Sequence, residues 1–203
     1  MKIIHYIRHG RIILPEGEKR FFPDDELHLD SLNDQEMIII DNYLKRIPDY
    51  SCIFTSTIAR TIETAKLFLN KNSTLTTESC SELDEFFPRC LMGKYITELE
   101  SEYGPNCVSL YYDDPVVNNF FSVDETFHEA FERISSFFRA KLSGECNEIW
   151  LVGHGTLHSI FIIGLLAGAF NRLYTAITFS NLYETIVAYD EDKDAFTLEK
   201  INA

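Results

Sequence analysis

Apolar residues in this chain follow two rhythms. Short, largely apolar runs, at residues 2–7, 52–55 and 149–153, predict strands buried on both faces. Between them the apolar positions recur at helical spacing. Met37, Ile40, Tyr43, Leu44 and Ile47 predict a helix that Asp30 or Ser31 caps and that ends near Arg46, before Pro48. Ile58, Ile62, Ala65 and Leu69 line one face of a second helix, capped by Ser56 or Thr57. A third strand is expected at 75–77. Phe127, Phe131, Ile134, Phe137, Phe138 and Leu142 make an apolar stripe along an amphipathic helix over 124–142. Residues 157–170 are almost wholly apolar, which predicts an interior helix. Late strands are expected at 175–179, 185–189 and 197–200, the last two as a hairpin through 190–194.

Two stretches lack such a rhythm. Residues 10–29 are polar, with Pro15, Gly17 and Pro23, and read as a long loop of the kind that often carries function. Residues 79–123 are rich in Pro, Asp, Asn and Tyr, with one short helix expected at 96–103. They read as a cap-like insertion over the strand ends. Strands alternating with helices predict an α/β fold: a mostly parallel central sheet with helices on both faces. At 203 residues the expectation is one domain, 1–203, containing the 79–123 insertion.

Composition narrows the classes. A net charge of −14 argues against non-specific nucleic-acid binding and against an anionic membrane surface. A local group of arginines can still hold a phosphorylated substrate within a screening length. The five cysteines, Cys52, Cys80, Cys90, Cys107 and Cys146, are odd in number and have no CxxC spacing. They fit reduced thiols in a cytoplasmic protein better than a disulfide framework or a zinc site. His5 and Arg8 interrupt the first apolar run, so it is not read as a signal peptide. The apolar window 150–170 contains His154, His158 and several glycines, and is read as a buried strand-turn-helix rather than a membrane span.

Two of the predicted strands end in a histidine followed by a glycine. The first ends Arg8-His9-Gly10 and the second Gly153-His154-Gly155. In an open parallel sheet, reactive side chains collect beyond the carboxyl ends of the strands. A neutral imidazole can attack phosphorus there, and a guanidinium can hold non-bridging oxygens in its planar fork. Taken singly, each His-Gly pair is an ordinary turn at a strand end. Together and in this order they point to a phosphate site. His158, one helical turn after His154, is read as a packed histidine, and so is His5. His154 and His158 lack an acidic third ligand at a familiar spacing, so no metal is assigned.

The ordered set of motifs resembles the histidine phosphatase superfamily, the phosphoglycerate mutase-like proteins, in its phosphatase branch. Arg8-His9-Gly10 resembles the family's first signature. The stretch from Ser56 to Ala65 resembles its second-arginine helix, centred on Arg60. Leu83-Asp84-Glu85 resembles the segment bearing its acid, Glu125-Thr126 with Arg133 the start of a later helix, and His154-Gly155 the second histidine motif. The resemblance implies a phosphoglycerate mutase-like fold. It implies that His9 is a nucleophile forming a phosphohistidine, and that Arg8, Arg60 and a protonated His154 surround the phosphate. Gly10 would leave room for that phosphate in a turn closed to other residues. Glu85 would be general acid and then base, with Glu82 and Asp84 as competitors for that role. Glu125 would cap the helix or contact the site through its backbone. No cofactor and no metal is implied.

Some positions depart from the family pattern. Arg11 stands where Glu or Gln is usual, Ile12 where Thr is common and Pro15 where an asparagine usually meets phosphate. Asn33, which tolerates a left-handed conformation, replaces a helix glycine. Phe86-Phe87-Pro88-Arg89 replaces a tryptophan-glycine stretch. Arg11 and Arg89 are candidates to bind a second anionic group on the substrate, or are ordinary surface arginines. The expected function is a metal-independent phosphomonoester hydrolase acting on a small phosphorylated metabolite. A phosphomutase of the same superfamily and a catalytically weak phosphate-binding module are the alternatives. Oligomeric state and the identity of the substrate are not legible in the sequence.

Overall fold

The computed structural model describes residues 1–15, 25–86, 88–113, 121, 124–143, 147–167, 177 and 179–201. Six strands form one sheet in the order β3-β2-β4-β1-β5-β6. These are β1 (Lys2–Arg8), β2 (Cys52–Thr55), β3 (Thr76–Ser79), β4 (Glu148–Gly153), β5 (Glu184–Asp190) and β6 (Ala195–Lys200). The first four run parallel, whereas β5 pairs antiparallel with β1, and β6 with β5. The β5–β6 hairpin is the one the alternation predicts.

Alternation along β4 divides the core. Ile149 and Leu151 face one apolar cluster, built with α5 (Phe127–Leu142) and α6 (Gly155–Ala167). Trp150 and Val152 face the other, built with α1 (Asp34–Leu44) and α2 (Ala59–Leu69). Helices therefore cover both faces of a mostly parallel α/β sheet. Phe138, fully buried, packs its ring against Phe137, Phe161 and Phe196, which ties α5 to α6 and to the β6 edge. His5 is the core histidine expected of it. It stacks on Trp150 at 3.8 Å and shares the fully buried Glu184 with Arg46.

Several boundaries differ from the sequence expectation. Helix α1 starts three residues or more beyond Asp30 and Ser31, because Asn33 is its N-cap. Asn33 accepts from the Glu36 amide while Glu36 reaches back to the Asn33 amide, a reciprocal capping box. The Asn33 backbone is extended, with φ −84°, so no left-handed conformation is used. Ile58, not Ser56 or Thr57, is the cap residue of α2. The expected strand at 75–77 lies at Thr76–Ser79. Helix α6 begins at Gly155 rather than at 157; residues 168–170, where it was expected to end, lie outside the described residues. The strand expected at 175–179 also lies largely outside them, and Ile177 and Phe179 belong to no strand.

Beyond β3 come short 3-10 turns at Ser81–Leu83 and Arg89–Leu91, then α3 (Ile96–Tyr103), as anticipated, and α4 (Cys107–Asp113), which was not. Leu91, Leu99, Cys107, Val108, Tyr111 and Phe121 form a separate small apolar cluster there. Among the described residues no helix is long and apolar enough to cross a membrane.

Candidate active site

Parallel pairing of β1 with β4 decides where the two histidines meet. The register sets Tyr6 beside Leu151 and Arg8 beside Gly153. The next residues, His9 and His154, therefore leave the sheet as neighbours. The His9 amide donates to the Gly153 carbonyl at 2.9 Å, and the two imidazole rings lie 5.4 Å apart, edge to face. Strand β2 lies on the other side of β4 and delivers Ser56 to the same end. Four positively charged or ionisable groups from distant parts of the chain thus converge: Arg8, His9, Arg60 and His154. His9, Arg60 and His154 are buried.

The His9 ring is oriented by one short bond. Its Nδ1 lies 2.7 Å from the Gly10 carbonyl oxygen, which can only accept, so Nδ1 carries the proton and Nε2 the lone pair. Asn181 donates through Nδ2 to the carbonyls of His9 and Gly10 at 2.8 and 3.2 Å, holding that turn. The Gly10 amide donates to Thr64, which in turn donates to the Arg60 carbonyl. Burial, then the charges of Arg60 and Arg8, push the His9 pKa down to about 3, so its imidazole is neutral at ordinary pH.

His154 sits at the entry to α6. Its Nε2 is 2.8 Å from Ser56 Oγ, which also accepts from the Ile58 amide and meets Thr61 Oγ1 at 2.7 Å. Its Nδ1 is buried with no protein partner among the described residues. Burial, Arg60, His9 and Arg8 all hold His154 well below the usual histidine pKa. Burial first, and then the surrounding cations, work against the protonated His154 that the resemblance implies.

Arg8 donates to the Phe179 carbonyl, and its buried Nε has no protein partner among the described residues. Its guanidinium lies against Gly155, where an added Cβ would come within 3.2 Å of it. A side chain at Gly155 would crowd that guanidinium, which would have to shift by a few tenths of an ångström. Gly10 is not: its φ is not positive, and a Cβ there would make only ordinary contacts with Leu29, Leu182 and Thr64. The expected turn closed to other residues is corrected on that ground.

Glu85 lies across the N-terminus of α6, accepting from the amides of Leu157 at 2.8 Å and Thr156 at 3.3 Å. Burial raises its pKa, while those amides and the charges of Arg60 and Arg8 partly offset the rise. The competing carboxylates are engaged elsewhere. Asp84 accepts from the amide and hydroxyl of Thr57, and Glu82 is exposed. Thr126, not Glu125, caps α5. The Glu125 carboxylate takes Arg133 in a bidentate pair at 2.6 and 2.7 Å. Glu85, Asp84, Arg89, Asp124, Glu125 and Arg133 line a cleft of about 280 Å³.

The rim arginines separate. Arg11 spends four of its N–H donors on Glu36, Asp30 and the Ser31 carbonyl, so it fastens the start of α1. Arg89 is largely exposed, 3.7 Å from Asp124. His158 is a packed histidine, stacked between Tyr6 and Phe179. Tyr6 and Asn181 also support the site, and no motif in the sequence points to Asn181. The position of Tyr6 two residues before Arg8 was the one available signal. Among the described residues no group of three or more His, Cys, Asp or Glu side chains could hold a metal ion.

The profile of the histidine phosphatase superfamily (branch 1) matches residues 4–203. The chain belongs to this superfamily. Solved histidine phosphatase-like structures superpose over its whole length at low identity. A mycobacterial hydrolase is 16% identical with a TM-score of 0.78, covering 100% of this chain and 98% of that one. A mycobacterial glucosyl-3-phosphoglycerate phosphatase gives 15% and 0.75, covering 100% and 99%. A mutant phosphoserine phosphatase from Entamoeba histolytica, in complex with phosphoserine, gives 16% and 0.71, covering 100% and 98%. No curated protein sequence is significantly similar to the chain. This histidine phosphatase thus keeps the superfamily's fold while its sequence has diverged far from those structures.

Proposed function

We propose that the protein hydrolyses phosphomonoesters of small metabolites through a phosphohistidine on His9, without a metal ion. The observation that carries this reading is the His9 Nδ1 bond to the Gly10 carbonyl. It leaves a neutral, buried Nε2 lone pair among the guanidinium groups of Arg8 and Arg60. The small phosphorylated substrates of the glucosyl-3-phosphoglycerate and phosphoserine phosphatases support the substrate class.

In the first half-reaction Nε2 attacks phosphorus, the N–P bond forms and the bond to the leaving oxygen breaks. Glu85, whose pKa burial raises, gives its proton to that oxygen. Arg8 and Arg60 neutralise the equatorial oxygens. Once their charge is met by phosphate, His154 takes the proton of the entering monoester monoanion on Nδ1, hydrogen-bonds a phosphoryl oxygen through it, and gives it back to the departing phosphate. In the second half-reaction Glu85 takes a proton from water, the water oxygen attacks phosphorus, the N–P bond breaks and phosphate leaves. Splitting the displacement into two steps lets one pocket serve both, and catalysis rests on position and fixed charge.

The test is turnover of a panel of phosphate esters by wild type and His9→Ala, in the presence of EDTA. Wild type should be active and His9→Ala inactive, and mass spectrometry after a neutral quench should place phosphate on His9. Loss of activity in EDTA that magnesium restores, or full activity in His9→Ala, would overturn the reading.

A further inference from the structure

Beneath the phosphate site lies a stack of rings to which the reaction above gives no part. Tyr6 is 1% exposed and sits on β1, two residues before Arg8. Its hydroxyl accepts from the His154 amide and donates to the His154 carbonyl, both at 3.1 Å. Gly153 makes room for it: a Cβ there would fall 2.3 Å from the Tyr6 oxygen. The ring of Tyr6 stacks on His158 at 3.8 Å, and His158 stacks on Phe179 at 3.7 Å. The Phe179 carbonyl is what Arg8 Nη1 binds. The contacts close a loop from β1 through His154 and His158 to Phe179 and back to β1 at Arg8.

Two details argue that this loop does more than fill the core. His158 is fully buried, yet neither ring nitrogen has a protein partner among the described residues. A ring with two unmet polar atoms is a poor core filler, since burying them without bonds opposes folding. It is retained in flat contact on both faces, 16° from Tyr6 and 19° from Phe179. The other detail is that the Tyr6 hydroxyl does not seek a side chain. It takes the main-chain N–H and C=O of the one residue that brings an imidazole to the phosphate pocket.

We propose that Tyr6 is a positioning residue for this phosphate site. Its hydroxyl holds the backbone of His154, and its ring, through His158, braces the Phe179 segment that seats Arg8. This rests on the hydrolase reading above, because only a reacting phosphoryl group gives the placement of His154 and Arg8 a kinetic consequence. His154 and Arg8 face the equatorial oxygens, where charge is redistributed in the transition state. Loosening them should therefore lower kcat more than it raises KM.

The experiment compares Tyr6→Phe, His158→Phe and His158→Ala with wild type, using p-nitrophenyl phosphate, orthovanadate inhibition and amide hydrogen exchange at His154. Tyr6→Phe keeps the stack and removes the clamp. It should stay folded, with kcat down about tenfold and vanadate inhibition weakened in parallel, because a small misplacement of a site group is costly. Its KM should hardly move, and its His154 amide should exchange faster than in wild type. His158→Phe preserves the stack and should keep near-wild-type kcat, whereas His158→Ala should lose it. A folded Tyr6→Phe with wild-type kcat and vanadate inhibition overturns the proposal, as does equal loss in His158→Phe and His158→Ala. If wild type itself neither turns over ester nor binds vanadate, the hydrolase reading fails. In that event unchanged His154 exchange in Tyr6→Phe would show separately that the clamp is absent.

Discussion

Glu85 shows how environment, rather than residue type, separates neighbouring carboxylates. Glu82, Asp84 and Glu85 are chemically alike and nearly adjacent. Asp84 is held in place by three contacts from Thr57, while Glu85 is drawn inward to the first amides of α6. Burial raises its pKa, so the protonated form persists to higher pH than for an exposed carboxyl. The sign for activity follows. As pH rises through that raised value Glu85 loses its proton, and turnover of esters with poor leaving groups should fall. His9, held neutral down to about pH 3, should give no limb near the usual histidine pKa. Glu85→Gln should lose about 10²–10⁴-fold in kcat for alkyl esters, the range of a general acid, and less for activated aryl esters. An equal loss for both kinds of ester would remove Glu85 from the acid role.

At the scale of elements, the same arginine can read as a ligand or as a fastener. In the sequence Arg11 stands beside the nucleophile with five donors. The fold turns it toward the N-terminus of α1, where Glu36 joins the capping box and binds Arg11 as well. Glu36 is thereby held below the usual carboxylate range. Arg11→Ala should therefore shift KM for esters with one and with two anionic groups alike. A selective loss for the doubly anionic ester in steady-state kinetics would return Arg11 to the substrate. Asn33→Ala removes the cap and should lower unfolding free energy by about 1 kcal/mol, the usual cost of such a change, measured by urea denaturation. The pairing of β1 with β4 is the other decision made at this scale. A slip of one residue would send Tyr6, Arg8 and their partners to the opposite face of the sheet.

For the whole molecule, the concentration of buried imidazoles sets its response to acid. His9, His154 and His158 are all pushed below their ordinary pKa, chiefly by burial and then by the nearby arginines. Each binds a proton readily when unfolded and poorly when folded. Stability is therefore intact above about pH 6.5, the unfolded histidine value, and is lost as pH falls below it. Each such group takes up a proton on unfolding in that range, so each steepens the loss. Glu184 adds to the loss at lower pH. Burial opposes its ionisation, but hydrogen bonds from His5 and Arg46 hold its pKa down, so acid removes what that pairing contributes. Thermal unfolding between pH 7 and pH 4.5 should show a steep fall in Tm, and His158→Phe should make it shallower. A flat Tm over that interval would contradict the neutral burial of these rings.

Most of the elements and the family are legible in the sequence alone. Periodicity marks the buried strands and the amphipathic helices, because burial on one or both faces imposes a repeat that one window of residues reveals. Two His-Gly strand ends and an arginine at a helix start mark the candidate site, because each motif is local. Helix starts were less legible: Asn33 outcompeted Asp30 and Ser31 only once Glu36 and Arg11 were in place. Only the tertiary structure separates side chains of one type. It draws Glu85 to the amides of α6 and Asp84 to Thr57, gives Arg11 to Glu36, lowers the His154 pKa, and sets Tyr6 and Asn181 behind the two histidines. Those outcomes depend on contacts between residues far apart in the chain, such as Tyr6 with His154 and Ser56 with His154. Burial and neighbouring charge set protonation, and both arise only when the strands have paired and the helices have closed over them.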